Sequence, residues 1–405
     1  MGSLSKIVVS LTLVYSYFWG IENGFAYNAA ERYQLIRDRV NLESENFYNS
    51  HDIFLNLSLL NTSDLKSFFE GLVKNTKDES TLKIFLNKHN QTEKILGLNL
   101  DLGTPLPFFE TIESSLFLKS QIDYFQAITS DELDCDAILL MIPDSHPEIK
   151  KAFTCSYFKS LSPGDDLVDN LPGVSEAIKS TQRGKYFKPQ DTSDPNVYLL
   201  LKALGYLGFN FRTTFFKYFK ASFKIYGASE GLSQLLLSYS TLSKKKSHRL
   251  PLQRKINLNL DMSLDYEKEK WLWGAEFSNF ILSEILSSKD SESLWPKNSP
   301  LIHVYGKYRG NYQDMLINHY WGIHLRSLYK AVEGLYLGTE MTYPFWKNRL
   351  SLLLKARLDP EFYMIGFNIQ SFLIDFNINA RYPLKTNSRG INSSGLYNFN
   401  LRIHF

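Results

Sequence analysis

Only two cysteines, Cys135 and Cys155, occur in 405 residues. No paired histidines accompany them, so the spacing excludes a structural zinc site. Long apolar runs are equally scarce. The one continuous run, residues 7–19 behind Lys6, falls short of the roughly 20 residues a spanning helix needs. With a mean hydropathy of −0.23, a helical membrane protein is excluded. The formal net charge of +3 is small and dispersed, which argues against a nucleic-acid partner. Catalytic signatures are missing too. There is no Gly-x-Ser-x-Gly nucleophile turn, phosphate loop, dinucleotide fingerprint or EF-hand spacing. Asp134, Asp136, Asp165 and Asp166 are acidic enough for calcium but lack its spacing. The sequence therefore assigns no catalytic residue, no metal and no cofactor.

Aromatics and alternation are abundant: 24 Tyr and 29 Phe bring the aromatic fraction to 15%. Residues 395–405 place Tyr397, Phe399, Leu401, Ile403 and Phe405 on one face, with Asn398, Asn400, Arg402 and His404 on the other. Strict period two is the signature of a strand with one apolar and one wet face. Residues 256–265 alternate without error, and 53–59, 96–103 and 116–124 also read as strands. Further strands are expected at 197–212, 215–226, 232–242, 271–282, 301–309, 318–329, 333–343, 349–359, 361–370 and 372–382. Most match the 9–11 residues a membrane-crossing strand needs, whereas soluble strands centre near 5–6. The fold class expected is all-β, an antiparallel transmembrane β-barrel of about 12–16 strands with a small helical insert.

The other segments read as follows. Lys6, the run 7–19 and Gly24-Phe25-Ala26 give a secretory signal peptide over residues 1–26. Residues 27–52 are polar and mixed in charge, a short helix or an ordered N-terminal arm. The barrel is expected over 53–405, with amphipathic helices in an insert at 62–90 and a long loop or plug at 131–195. Short strands near 137–142 and 152–159 are expected inside that loop. In an exported chain Cys135 and Cys155 are a disulfide candidate, the other reading being two free thiols.

Aromatics at strand ends fit interfacial girdles: Trp271, Trp273, Tyr320, Trp321, Tyr343, Phe345, Trp346, Phe362 and Tyr363. On the wet faces Lys355, Arg357, Asp375, Arg381 and Arg402 are the lumen-facing candidates. They form no single-sign ring, so no ion selectivity is read from them. His303, His319, His324 and His404 are expected on wet sides or strand edges as hydrogen-bonders.

The closing strand resembles the C-terminal strand of Gram-negative outer-membrane β-barrels, and the arm, helical insert and run of strands look faintly like FadL-type and TraF/PorV-like barrels. The first likeness makes Phe405, with Ile403 and Leu401, the assembly signal read by a barrel-assembly machinery. It also implies the outer membrane of a Gram-negative bacterium, with outer-membrane lipid and lipopolysaccharide as partners. The basic run at 244–249 would be a lipopolysaccharide contact or a solvated loop. The function so implied is passive or facilitated passage of a small or hydrophobic solute, without catalysis. The alternative is a non-transporting structural, adhesion or secretion-partner barrel.

Overall fold

The computed structural model describes residues 29–44, 53–75, 78–106, 112–129, 147–162, 165–182, 196–238, 253–287, 300–312, 315–327, 329–345, 350–384 and 392–405. Fourteen antiparallel strands close into one barrel. They are β1 (Phe54–Thr62), β2 (Thr92–Leu106), β3 (Ile112–Thr129), β4 (Asn196–Phe215), β5 (Phe219–Ser238), β6 (Gln253–Lys268) and β7 (Trp271–Ser287). The second half is β8 (Leu301–Tyr312), β9 (Met315–Leu325), β10 (Leu335–Phe345), β11 (Leu350–Leu358), β12 (Phe362–Ser371), β13 (Ile374–Pro383) and β14 (Leu396–His404). Each strand pairs with its chain neighbours, and β1 closes on β14 from Phe54 opposite His404 to Thr62 opposite Leu396. Closure leaves no open edge, the condition a sheet must meet to cross lipid.

Alternation sets the two faces of the wall. On β14 Leu396, Asn398, Asn400 and Arg402 are buried inside, while Phe399 is exposed outside. The outer face carries a belt of exposed apolar side chains, among them Leu100, Ile122, Phe223, Leu264, Ile365 and Phe367. A contiguous apolar exterior around a polar interior is the inverse of a soluble β protein. Trp271 and Trp273 stand in this belt beside Trp321, with Tyr343 and Phe345 further round. Two of the expected girdle residues face inward instead. Phe362 is buried in the interior core, and Tyr320 lines the lumen. Trp346 lies outside the described residues.

Both barrel termini share one rim with the connections 107–111, 216–218, 269–270, 313–314, 346–349 and 372–373. This is the terminal rim. The opposite, loop rim carries 63–91, 130–195, 239–252, 288–300, 326–334, 359–361 and 384–395. The connections 326–334 and 359–361 are short members of the long-loop rim.

Some expectations fail for physical reasons. Residues 239–242 lie outside the described residues; as far as residue 238, segments 215–226 and 232–242 fall on the end of β4, a turn and one continuous 20-residue β5. Gly227, Ser229 and Gly231 interrupt the apolar row of its outer face, so the alternation fades while the pairing continues. Residues 152–159 form no strand: Ala152 ends one helix, and Cys155 begins another after Phe153 and Thr154. Thr154 accepts a hydrogen bond from the Tyr157 N–H at 3.1 Å, a side-chain cap that starts a helical turn. The segment 137–142, the basic run 244–249 and Cys135 lie outside the described residues.

The helices serve three purposes. α1 (Ala29–Ser44) enters the lumen, as described below. α2 (Leu65–Asn75) and α3 (Glu79–Lys88) fill the expected insert. Their Phe68, Leu82 and Leu86 pack on Ile128 and Val197 at the loop-rim ends of β3 and β4. Ile128 alternates with inward Ala127 and Phe125, so this pair lies against the outside of the wall and is not a plug. α4 (Pro147–Ala152), α5 (Cys155–Ser160) and α6 (Glu176–Gln182) gather around a core of their own, including Ile149, Phe153, Val168 and Leu171.

Candidate functional site in the barrel lumen

The residues 29–44 contain no Gly or Pro and are rich in Ala, Arg, Glu, Leu and Gln, which favours helix. Their apolar stripe is narrow, Tyr33, Ile36 and Val40 at helical spacing. Tyr33, Leu35, Ile36 and Val40 are buried, yet so are Arg32, Arg37, Asp38 and Arg39. A helix buried on every side with charges on several of them must sit in a polar enclosure that answers each charge.

The barrel interior answers them one by one. Arg32 donates to Glu93 at 2.6 and 2.8 Å, to Glu361 at 2.6 Å and to Ser393 at 2.9 Å. Arg39 pairs with Glu361 and donates to the Glu333 carbonyl at 2.7 Å. Arg32 and Arg39 are two turns, about 10 Å of axis, apart and both end on one carboxylate. Burial alone would raise the Glu361 carboxyl, but the two guanidinium charges outweigh it and lower it from 4.5 to about 2. Arg37 pairs with Asp123 of β3, which also accepts from the Tyr33 hydroxyl. Asp38 accepts from Arg326 at 2.9 Å and from the Tyr329 hydroxyl at 3.0 Å. These partners come from β2, β3 and the 326–334, 359–361 and 384–395 connections, so α1 is held from several sides at the loop end of the lumen.

Apolar packing completes the closure. Tyr33, Ile36 and Val40 join Leu60, Ile95, Phe125, Ala127, Leu200, Leu232, Phe362 and Leu396 in one buried cluster. All the strand members lie near the loop-rim ends of their strands. Gly97 provides the socket for Arg37: a Cβ there would stand 2.3 Å from Arg37 Nη2 and 2.6 Å from Asp123 Oδ1.

Below α1 the described residues line two cavities. A cavity of about 460 Å³ reaches toward the terminal rim, and a second of about 150 Å³ lies against Tyr33, Gln34 and Arg37. They share Leu42, Asn210 and Lys224 in their walls. Near the terminal rim Lys220 and Arg309, with side chains 36% and 40% exposed, both bind Glu267. Among the described residues, the fully buried side-chain amides of Asn257, Asn368 and Asn377 make no hydrogen bond to protein.

The lumen candidates read from sequence occupy different places. Lys355 and Arg357 line the larger cavity, with Arg357 4.0 Å over the Tyr336 ring. Arg381 donates to the Arg39 carbonyl at 3.1 Å and so belongs to the helix contacts. Arg402 lies 3.9 Å over Phe54, and Asp375 meets His404 Nε2 at 3.1 Å. His303 and His324 bond the Tyr336 and Tyr329 hydroxyls, each at 2.7 Å. His319 departs from expectation: it stands on the outer face beside Thr339, where strand alternation puts it. Asp165 and Asp166 accept backbone N–H groups of their own loop at 2.7 and 2.9 Å. The Phe405 N–H bonds the Ile53 carbonyl at 2.8 Å, and its side chain is exposed. Sequence reasoning missed Arg32, Arg37, Asp38 and Arg39 on α1, and Glu93, Asp123 and Glu361 that receive them. The one available signal was a Gly-, Pro-free polar segment dense in arginine ahead of the first strand.

No family model and no curated protein matches the chain. Solved structures similar to it are outer-membrane β-barrels. The translocator domain of autotransporter NalP from Neisseria meningitidis is 7% identical, with 93% of this chain and 96% of that one covered at a TM-score of 0.34. CdiB from Acinetobacter baumannii is 8% identical, with 88% and 60% covered at 0.34. A mutant of Rh. blastica porin is 9% identical, with 87% and 99% covered at 0.30. Likeness at these identities and TM-scores carries nothing about function.

Proposed function

We propose that this chain is an outer-membrane β-barrel that passes a small hydrophilic solute through a lumen gated by its own N-terminal helix. The terminal rim, with its short connections, faces the periplasm in this reading, and the loop rim faces outward. The observation that carries it is a division of the lumen. Its closure is a separate helix packed among wall side chains, and a polar cavity lies behind it. Displacing α1 would join cavity and exterior without changing any strand pairing. The charged and amide-rich wall suits water-soluble solutes and argues against the hydrophobic solutes that the FadL-type likeness implies.

A second reading is favoured by one specific observation. The eleven-residue apolar cluster and the buried ion pairs around α1 are strong enough for a permanent seal. The barrel would then be a non-transporting structural or secretion-partner protein. Planar-bilayer recording separates the two. The gated reading expects sparse openings from the full chain and steady conductance from a variant lacking residues 29–44. Silence from both, with heat-modifiable gel migration proving a folded barrel, would leave the second reading standing.

A further inference from the structure

The cavity beneath α1 is lined by charges of both signs, but they do not balance. Among the described residues, seven cationic side chains face four carboxylates. Arg212, Lys220 and Arg309 stand near the terminal rim, with Lys224, Lys307 and Lys355 deeper and Arg357 deepest. Lys355 and Arg357 are 8% and 5% exposed, so the deep cations are largely removed from bulk solvent. The carboxylates are already engaged by protein groups. Glu267 binds Lys220 at 2.7 Å and also pairs with Arg309. Glu340 pairs with Lys307 and accepts from Asn318 at 2.8 Å. Asp265 accepts from the Tyr305 hydroxyl at 2.5 Å, and Glu276 accepts from the Ser278 hydroxyl at 2.8 Å. A concave, low-dielectric wall focuses such an excess into a positive potential inside the cavity. The sequence hid this. The cations lie on β4, β5, β8 and β11, and only barrel closure turns them to one space.

We infer that this basin binds a small, multiply charged oxyanion, of the phosphate or polyphosphate class, entering from the terminal rim. Guanidinium and ammonium groups grouped within one pocket match the oxygens of such an anion, Arg by paired donors and Lys as point charges. A volume of about 460 Å³ admits a ligand larger than a single phosphate. The inference deepens the gated-passage reading by naming a solute class, and it rests on that reading only for transport; binding stands apart.

The test is calorimetric titration of inorganic pyrophosphate into the folded full chain in detergent, at two salt concentrations. Saturable binding that weakens with salt is expected. The double variant Lys355→Gln/Arg357→Gln is expected to weaken it about tenfold. Because deep substitutions can unsettle folding, Lys220→Gln/Arg309→Gln at the exposed mouth provides a second variant, with a several-fold loss expected. Lys66→Gln, 91% exposed on the outer helix α2, should bind as the parent does. No heat from pyrophosphate with a properly folded parent, or equal affinity in all variants, overturns the inference. Binding without any conductance would defeat the gated-passage reading alone and leave the basin intact. In a conducting variant lacking residues 29–44, a reversal potential favouring chloride over potassium supports the basin, and equal passage of both ions counts against it.

Discussion

The two ends of the lumen are built from the same kinds of residues and reach opposite outcomes. At the loop end, arginines of α1 meet carboxylates of the wall, apolar side chains fill the spaces, and charge is answered locally. At the terminal end, cations outnumber carboxylates around a cavity among the described residues. Charge paired within a packed shell holds elements in place. The same charge lining an unfilled space creates a field for something that arrives. The difference lies in whether an element of the chain itself occupies the space.

The comparison breaks most completely if α1 is lost. Removing residues 29–44 should convert a mostly closed barrel into an open one, read as conductance in planar bilayers. Next in size is the Arg37 pair. Arg37→Ala leaves Asp123 buried without its cation, a loss of about 3–5 kcal/mol to helix docking. It should raise open probability steeply, and protease sensitivity of the released arm reads the same event. If Arg37→Ala barrels stay closed, the ion pair is not what holds the helix. Gly97→Ala tests the same socket from the wall, where crowding Arg37 should cost about 1–3 kcal/mol. Its melting temperature and open probability should move together.

Acid should loosen the loop end gradually. The Glu361 carboxyl is held at about 2 in place of 4.5, so its contribution is complete above pH 4.5 and fades as pH falls toward 2. Openings should therefore increase in that window and Glu361→Gln should flatten the response. An unchanged pH profile in Glu361→Gln would assign the acid sensitivity elsewhere. The smallest effect is expected at the mouth. Lys220→Gln removes an exposed pair worth at most about 1 kcal/mol, so thermal stability should barely move. Only anion preference should change, which separates a field at the terminal end from a clasp at the loop end.

Much of the barrel was legible from particular residues. The alternation at 256–265 sits inside β6, and the strand closing at Phe405 pairs with β1 and β13. Lys355 and Arg357 were placed on a wet face because period two needs no partner to be read. A helix was one of two readings for 27–52, but its place inside the lumen was not legible, for the opposite reason. Its Tyr33, Ile36 and Val40 row is narrow, and buried Arg32, Arg37, Asp38 and Arg39 flank it, so the apolar pattern is masked by charge. The helical insert had a clear apolar face and was recognised, yet it covers the outside of β3 and β4. An amphipathic pattern states that a helix has a neighbour and not which side of a wall the neighbour is on.

By itself, then, the sequence determined a chain of alternating strands long enough to cross lipid, because side-chain direction in a strand is a local property. Which charges share a space was decided only by the tertiary structure. Arg32 meets Glu361 across 329 positions, and Lys220 shares a cavity with Arg357 only after β1 has met β14. Coulomb forces depend on distance through space, and closure of the barrel is what sets those distances.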